Sequence, residues 1–326
     1  MISIIVPAYN VESAIGNTLN SILVQTYPDI EIIVIDDGST DNTGSVIDTY
    51  ASKYKQIIVL HTQNHGVTVA RLMGVKHASG EWIGFVDGDD EIEPGMYELL
   101  FENAVKYKAD ISHCGYQMIF KDGRINYFHN TGCLVQQDRI DGLRELLDGS
   151  LIEPSLCNKL FHRRLFCSLL NTDVMDRNIK INEDLLMNYI LFSESNKSVF
   201  QDTCLYHYFE RSTSVTRKSL NPNKIFDPIR VKWIILNMNI ENMNEATRKA
   251  FIGTCINVYN SLVLDKTEKF LQEKRKVWKL IHKYNEWFPL LSRKQQFLAN
   301  FILHWPKAYI PIYRFYAKHF LKNKYT

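Results

Sequence analysis

Between Met1 and Lys108, short apolar runs alternate with longer stretches whose apolar positions recur at helical spacing, the pattern of a mostly parallel sheet with crossover helices. The runs predict strands at Ile2–Val6, Glu31–Asp36, Ile57–His61 and Glu81–Val86. The stretches between them predict helices over Ala14–Gln25, Thr43–Lys55, Val67–Ala78 and Pro94–Lys108. Pro7 closes the first run, Asp36-Asp37-Gly38-Ser39 follows the second and Ser79-Gly80 precedes the fourth, so turn chemistry falls where the pattern breaks. Each strand thereby delivers a polar cluster to its C-terminal end, where open α/β sheets hold ligands.

From Ala109 to Arg217 the pattern is mixed: a strand near Ile111–Tyr116, a hairpin around Lys121-Asp122-Gly123, helices near Asp138–Asp148 and Glu183–Ser193, and a β-run from Ser198 to Tyr208 that returns to the sheet. Beyond about Asn221 the reading is helical to the end, with Pro222, Pro228, Pro289, Pro306 and Pro311 as interruptions. No internal repeat or low-complexity tract is present.

Composition changes this picture little. The chain has 326 residues, 45% hydrophobic and 23% charged, which excludes disordered, collagen-like and disulfide-scaffold classes and fits one α/β domain with an appended part. Six scattered cysteines without a C-x-x-C pair fit a reducing cytoplasm, and Ile2–Val6 is expected to be a buried strand rather than a secretion leader. Charge is more informative. The net +2 divides into 14 Lys and Arg against 3 Asp and Glu from Lys266 to Thr326, and 24 against 33 in the remainder: a basic tail on an acidic body.

The segment Phe85-Val86-Asp87-Gly88-Asp89-Asp90 sets three carboxylates at the end of a buried strand, where their repulsion needs an offset. Magnesium or manganese, which take one or two protein carboxylates plus phosphate oxygens, would supply it; a solvated acidic turn is the plainer alternative. A second pair, Glu183-Asp184, opens a predicted helix, where the dipole alone favours acidic residues.

Four further segments, Ile4-Ile5-Val6-Pro7-Ala8-Tyr9-Asn10, Gln25-Thr26-Tyr27, Ile35-Asp36-Asp37-Gly38-Ser39-Thr40-Asp41 and Gly80-Glu81-Trp82-Ile83, stand with Asp87-Gly88-Asp89 in an order and spacing that resemble the donor half of the family 2 glycosyltransferases. The resemblance implies a GT-A fold, a Rossmann-like mixed α/β sheet, with a helical C-terminal extension. Domains are expected at 1–217 (1–125 donor-binding, 126–217 acceptor and base) and 218–326.

By the same resemblance, Pro7, Ala8, Tyr9, Asn10 and Glu12 line the nucleotide pocket and Asp37 reads the base edge. Asp87 and Gly88 serve the donor, Asp89 and Asp87 hold Mn2+ or Mg2+, and Asp90 serves the turn. Arg71 matches the family's Ala-Arg pair, which implies a reach to the diphosphate, with a surface helix arginine as the alternative; Leu72 replaces the usual Asn. Asp184 is implied as the general base of an inverting transfer, with Glu183 orienting it or holding an acceptor hydroxyl. Cys157-Asn158-Lys159-Leu160 resembles the family's stretch before an acceptor-side helix, Lys159 being either a phosphate contact or part of a solvated basic patch. Tyr206 to Thr216 resembles the strand and mobile loop that close over the donor, with Arg211 and Ser214 as phosphate contacts and Phe209 where Arg is common. His207 is a further candidate metal ligand, with a packed strand histidine as the alternative.

The tail mixes Lys and Arg with Trp278, Trp287, Phe297, Phe301, Trp305 and several tyrosines, and no run reaches the roughly 18 apolar residues of a spanning helix. It suits the interface of an anionic leaflet, where an acceptor on polyprenyl diphosphate would be presented. Packing on the catalytic domain, or a homo-oligomer interface, are the competing uses; no nucleic-acid motif accompanies the basic surface. Together these readings predict a transferase taking a nucleotide sugar, a UDP-sugar first, onto a surface glycan, peripheral on the cytoplasmic side of the membrane. A nucleotidyltransferase would show a Gly-rich basic loop after its first strand, which the Pro7–Asn10 turn lacks; a silent scaffold would not need Asp89 and Asp184.

Overall fold

Every residue of Ile2–Ala8 is buried, and this strand, β1, lies between parallel neighbours on both sides, which is why it reads as a continuous apolar run rather than an alternation. The computed structural model describes residues 1–171, 175–176, 178–210, 219–267 and 269–320. Strands β2 (Ile30–Asp36), β3 (Ile57–His61) and β4 (Trp82–Phe85) and helices α1 (Ile15–Leu23), α2 (Thr43–Lys53) and α3 (Val67–His77) fall within a few residues of expectation. A short β5 (Glu91–Ile92) then precedes α4 (Met96–Tyr107).

The chain continues through β6 (Ile111–Ile119), β7 (Ile125–Tyr127), β8 (Leu134–Asp138), α5 (Arg139–Asp148), β9 (Lys159–His162), α6 (Cys167–Asn171), α7 (Glu183–Glu194) and β10 (Lys197–Phe209). The sheet runs β3-β2-β1-β4-β9-β6-β10-β5, with β7 added on β6 and β8 on β10. Strand β9 is antiparallel to both of its neighbours, β4 and β6, so the sheet is mixed at its centre. That strand corrects the reading of Lys159 as part of a solvated patch. It is fully buried, and its Nζ donates to the carbonyls of Glu153 (2.8 Å) and Ser155 (2.5 Å) and to Asn158 Oδ1 (2.9 Å).

Residues 1–178 and 183–218 form one compact unit, and 179–182 with 219–326 a second. The second is helical: α8 (Pro222–Asn237), α9 (Asn244–Leu264), α10 (Leu271–Lys283), α11 (Arg293–His304) and α12 (Pro306–Phe320). Its core is built around Phe251, Ile252, Cys255, Ile256, Tyr259 and Val263 of α9. The short segment 179–182 joins this unit because the buried Asp227 carboxylate accepts the N–H groups of Lys180 (2.8 Å) and Ile181 (3.2 Å). Pro222 and Pro306 open helices, as the pattern predicts, but Pro228 and Pro311 lie inside α8 and α12. Each removes one intrahelical hydrogen bond without ending its helix, since tertiary packing outweighs local propensity.

Candidate donor and catalytic site

The ends of β1 and β2 are stitched together by their own polar residues. Asn10, in the left-handed region at φ 52°, accepts the Thr40 N–H at 2.8 Å through Oδ1, and its own N–H donates to Ser39 Oγ at 3.1 Å. Glu12 Oε2 accepts from Asn42 N and Nδ2 at 2.8 and 2.9 Å. Pro7 and Ala8 are buried beneath this junction, while Tyr9 projects with its ring half exposed. The two loops therefore form one preorganised rim, with the Tyr9 ring as its apolar surface.

Below that rim, the Asp37 carboxylate accepts the N–H groups of His65 and Gly66, each at 2.8 Å, and so fixes the entry to α3. Each carboxylate oxygen retains a second lone pair for a ligand donor. Gly38 must stay a glycine: its φ is +73° and a Cβ would meet Asn64 N at 2.6 Å. Asp36 binds Ser39 N at 3.0 Å and His61 Nδ1 at 2.9 Å, contacts that outweigh its partial burial and lower its pKa, while the same bond to Asp36 and another to Asp48 raise that of His61.

Helix α3 presents Arg71 inward, fully desolvated. Its Nη2 donates to Asp87 Oδ1 at 2.8 Å and its Nη1 lies 3.9 Å from Glu183 Oε1, so one guanidinium joins the acidic turn to the start of α7. Burial opposes its charge; the carboxylates of Asp87 and Glu183 more than offset that and raise its pKa above the ordinary value. Its Nε and Nη1 are buried with no hydrogen-bond acceptor among the described residues, the condition in which a ligand or water oxygen is expected.

The acidic turn is locked from beneath. Gly88 N–H donates to Pro7 O at 3.2 Å, and a Cβ there would stand 2.9 Å from that oxygen, so only glycine lets the turn lie on β1. Asp90 is buried and accepts from Tyr206 Oη (2.7 Å) and Phe209 N (3.1 Å), while Asp87 N–H donates to the same Tyr206 oxygen at 3.3 Å. Burial, then the charges of Asp89 and Asp87, push the Asp90 carboxyl well above the usual range. Asp87 and Asp89, in contrast, are only partly buried. Two partly exposed carboxylates on one turn fit Mg2+ or Mn2+, which take further oxygens from a ligand or water, and no cluster of three or more His, Cys, Asp or Glu suited to a closed cage occurs among the described residues.

At the start of α7, burial and the neighbouring Asp184 raise Glu183 to about 7, against the lowering effect of Arg71. Asp184 is also raised, by burial, although Arg71, the Leu185 N–H at 2.7 Å and Lys159 act in the opposite direction. Burial draws the Lys159 ammonium down to about 8. Asp87, Arg71, Glu183 and Asp184 thus form one electrostatic group assembled from three distant segments.

His207 is not brought to this group. Successive strand residues face opposite sides, so Tyr206, reaching Asp90, turns His207 away; its Nε2 lies 2.9 Å from Glu93 Oε1. Arg211 and Ser214 lie outside the described residues. Tyr206 is a structural support to which pattern reading gave no role; the strand alternation around His207 carried its signal.

The model for the family described as "Glycosyl transferase family 2" matches residues 3–177. The uncharacterized glycosyltransferase EpsJ of Bacillus subtilis (strain 168) is 34% identical over 227 residues, 68% of this chain and 64% of EpsJ. The minor teichoic acid biosynthesis protein GgaB of the same organism is 29% identical over 209 residues, 63% of this chain and 22% of GgaB. The chain therefore spans less than two thirds of either relative. The structure of S. aureus TarS 1–349 in complex with UDP-GlcNAc superimposes with a TM-score of 0.75 at 20% identity, covering 96% of this chain and 89% of that one, which shows a common fold. With the acidic turn at the C-terminal end of β4 and the family match running through the donor half, this chain belongs to glycosyltransferase family 2.

Proposed function

We propose that this chain is a metal-dependent inverting glycosyltransferase that moves a hexosyl or N-acetylhexosaminyl group from a UDP-sugar to a glycan carried on polyprenyl diphosphate. The product belongs to a bacterial surface polysaccharide, made at the cytoplasmic face of the membrane. The observation that carries the reading is Arg71, which ties Asp87 to Glu183 and so puts the donor turn beside the Glu183-Asp184 pair. The UDP-GlcNAc complex of TarS supports the donor class, and the teichoic acid role of GgaB supports the product class.

In this mechanism, Tyr9 and the Asn10–Glu12 rim hold the nucleoside, with Asp37 accepting a base N–H. Asp87 and Asp89 hold the divalent cation, which when bound neutralises charge on the departing diphosphate. Asp184 takes the proton of the acceptor hydroxyl as its oxygen attacks the anomeric carbon. The bond to the diphosphate oxygen breaks in the same displacement, and its electron pair leaves with the diphosphate. One displacement inverts the centre. Burial suits Asp184 to this task, because a desolvated carboxylate is a stronger base than a solvated one.

Nucleotide release measured across UDP-, GDP- and dTDP-sugars with Mn2+ tests the reading; UDP release above background is expected. Absence of release from every donor, together with no metal-dependent donor binding by calorimetry, removes it. Asp89→Ala is expected to abolish metal-dependent donor binding, read by calorimetry with and without Mn2+.

A further inference from the structure

The helical unit buries a complete core yet leaves large apolar side chains in water. Phe297 (68% exposed), Trp305 (61%), Ile312 (53%), Phe315 (62%) and Phe320 (66%) are among the most exposed hydrophobic residues of the described chain, and all lie on α11, α12 or the residue joining them. They are surplus to the core, because each helix meets it with other residues: Ala299 and Ile302 on α11, and Tyr309 on α12, whose hydroxyl donates to Asn260 at 2.6 Å.

Their spacing is ordered. On α12, Ala308, Ile312, Phe315 and His319 recur at steps of four, three and four, which at 100° per residue makes one stripe, and the exposed Lys307 and Lys318 both lie roughly 100° to one side of it. On α11, Phe297 lies among the exposed Arg293, Lys294 and His304. Phe301 continues the aromatic contact from Phe297 to Trp305, with ring centroids 6.1 Å apart in both steps. From Arg293 to Phe320 there are five Lys and Arg and no Asp or Glu. No helix among the described residues is long and apolar enough to cross a membrane.

We infer that the exposed faces of α11 and α12 lie in the headgroup region of an anionic bilayer, aromatic side chains inserted and lysines at the phosphates. Charge selects this occupant. A second copy docked face to face would set Arg293, Lys294, Lys307 and Lys318 against their own like, whereas anionic phosphate matches them along the whole face. The aromatic side chains suit the same boundary, where an apolar body enters and the cationic neighbours stay wet. The inference deepens the proposed use of a lipid-linked acceptor, since it would keep the enzyme where that acceptor is presented.

Co-sedimentation of the full chain with vesicles tests it, using phosphatidylcholine alone and an equal mixture with phosphatidylglycerol. Binding is expected to the mixed vesicles, with little to phosphatidylcholine alone, and to fall as salt rises. Phe297→Ser with Trp305→Ser and Phe315→Ser is expected to weaken binding at least about tenfold, and each of Lys307→Gln and Lys318→Gln about fivefold. Unchanged binding by the triple variant overturns the inference, as does equal binding to both vesicle types. A concentration-dependent dimer abolished by the same triple substitution also overturns it, in favour of a second copy. Nucleotide release without vesicles is read in parallel. Loss of vesicle binding with release intact would be the failure of docking in a variant that still transfers, whereas wild-type protein that binds vesicles but releases no nucleotide retains docking and loses the transferase reading.

Discussion

Around the site of the α/β unit the residues out of their usual place are charges: Arg71, Asp90 and Lys159 are buried, and Glu183 nearly so. In the helical unit, besides the buried Asp227, they are chiefly hydrophobes gathered on α11 and α12, with Phe297, Trp305 and Phe315 left in water. Each departs from the hydrophobic-in, polar-out rule, in opposite directions. A buried charge is tolerated where other charges or a ligand compensate it, so it marks a place where charge is handled. An exposed aromatic is tolerated where something apolar covers it, so it marks a place where a surface is met. On the proposed reading the first kind of misfit serves a reaction and the second a location.

The largest effect expected to sharpen that contrast is at Asp184. Asp184→Asn keeps the shape of the site and removes the base, so kcat should fall about a thousandfold while the calorimetric affinity for donor and Mn2+ stays near that of the wild type. Retention of a near-normal rate would break the assignment of this buried carboxylate to chemistry.

Glu183 supplies the next test, because its pKa has a stability consequence of definite sign. Its folded value of about 7 stands above the ordinary 4.5, so the charged form is disfavoured by folding. The cost is absent below the unfolded value, grows as pH rises from 4.5 and is complete above about 7. Glu183→Gln should therefore stabilise the protein at pH 8 by at most about 3 kcal/mol and far less at pH 4, read from urea unfolding at both. Because the pair titrates together, the same substitution removes a negative charge beside Asp184 and should move the acid limb of kcat to lower pH. A limb that stays in place would uncouple the two carboxyls.

Much of this unit was legible in sequence, for a physical reason. Strands β1 to β4 are apolar runs ended by polar turns, so both their extent and the residues at their ends could be read directly. Strand β9 could not. Its four residues, Lys159–His162, begin with a lysine that no pattern would place inside a sheet, and only the carbonyls of Glu153 and Ser155 make that burial tolerable. Strand β8 is hidden similarly, its Leu134–Asp138 being largely polar because it lies at the margin of the sheet. The bridge made by Arg71 was illegible because its partners, Asp87 and Glu183, are far apart in sequence. His207 is the converse case. Residue type suggested a ligand, but strand alternation turned it towards Glu93.

Tyr206 lies between chemistry and support. Its buried hydroxyl contacts Asp90 and the Asp87 N–H, so Tyr206→Phe should leave one buried carboxyl short of a hydrogen-bond donor, at about 1–3 kcal/mol of stability. Because the Asp87 backbone loses one of its contacts as well, the Mn2+ concentration needed for half-maximal nucleotide release should rise about fivefold, roughly 1 kcal/mol, while kcat at saturating Mn2+ stays near the wild-type value. A stability loss with no change in Mn2+ dependence would make Tyr206 a core residue only.

The smallest expected effect tests the helical side of the contrast. Trp305 is 61% exposed and its ring meets Phe301 at 6.1 Å and His304 at 5.8 Å, a thin set of contacts beside the enclosed Tyr309. If its surface is reserved for something outside the protein, Trp305→Ser should shift the urea-unfolding free energy by no more than about 0.5 kcal/mol, as for ordinary surface positions. Tyr309→Ser should cost several times as much, about 3–5 kcal/mol if it behaves as other large aromatic truncations in a core. The pair is informative because both residues are aromatic, four positions apart and on the same unit. A Trp305 variant destabilised as strongly as the Tyr309 variant would mean that the exposed face contributes to the core after all, and the two units would no longer differ in kind.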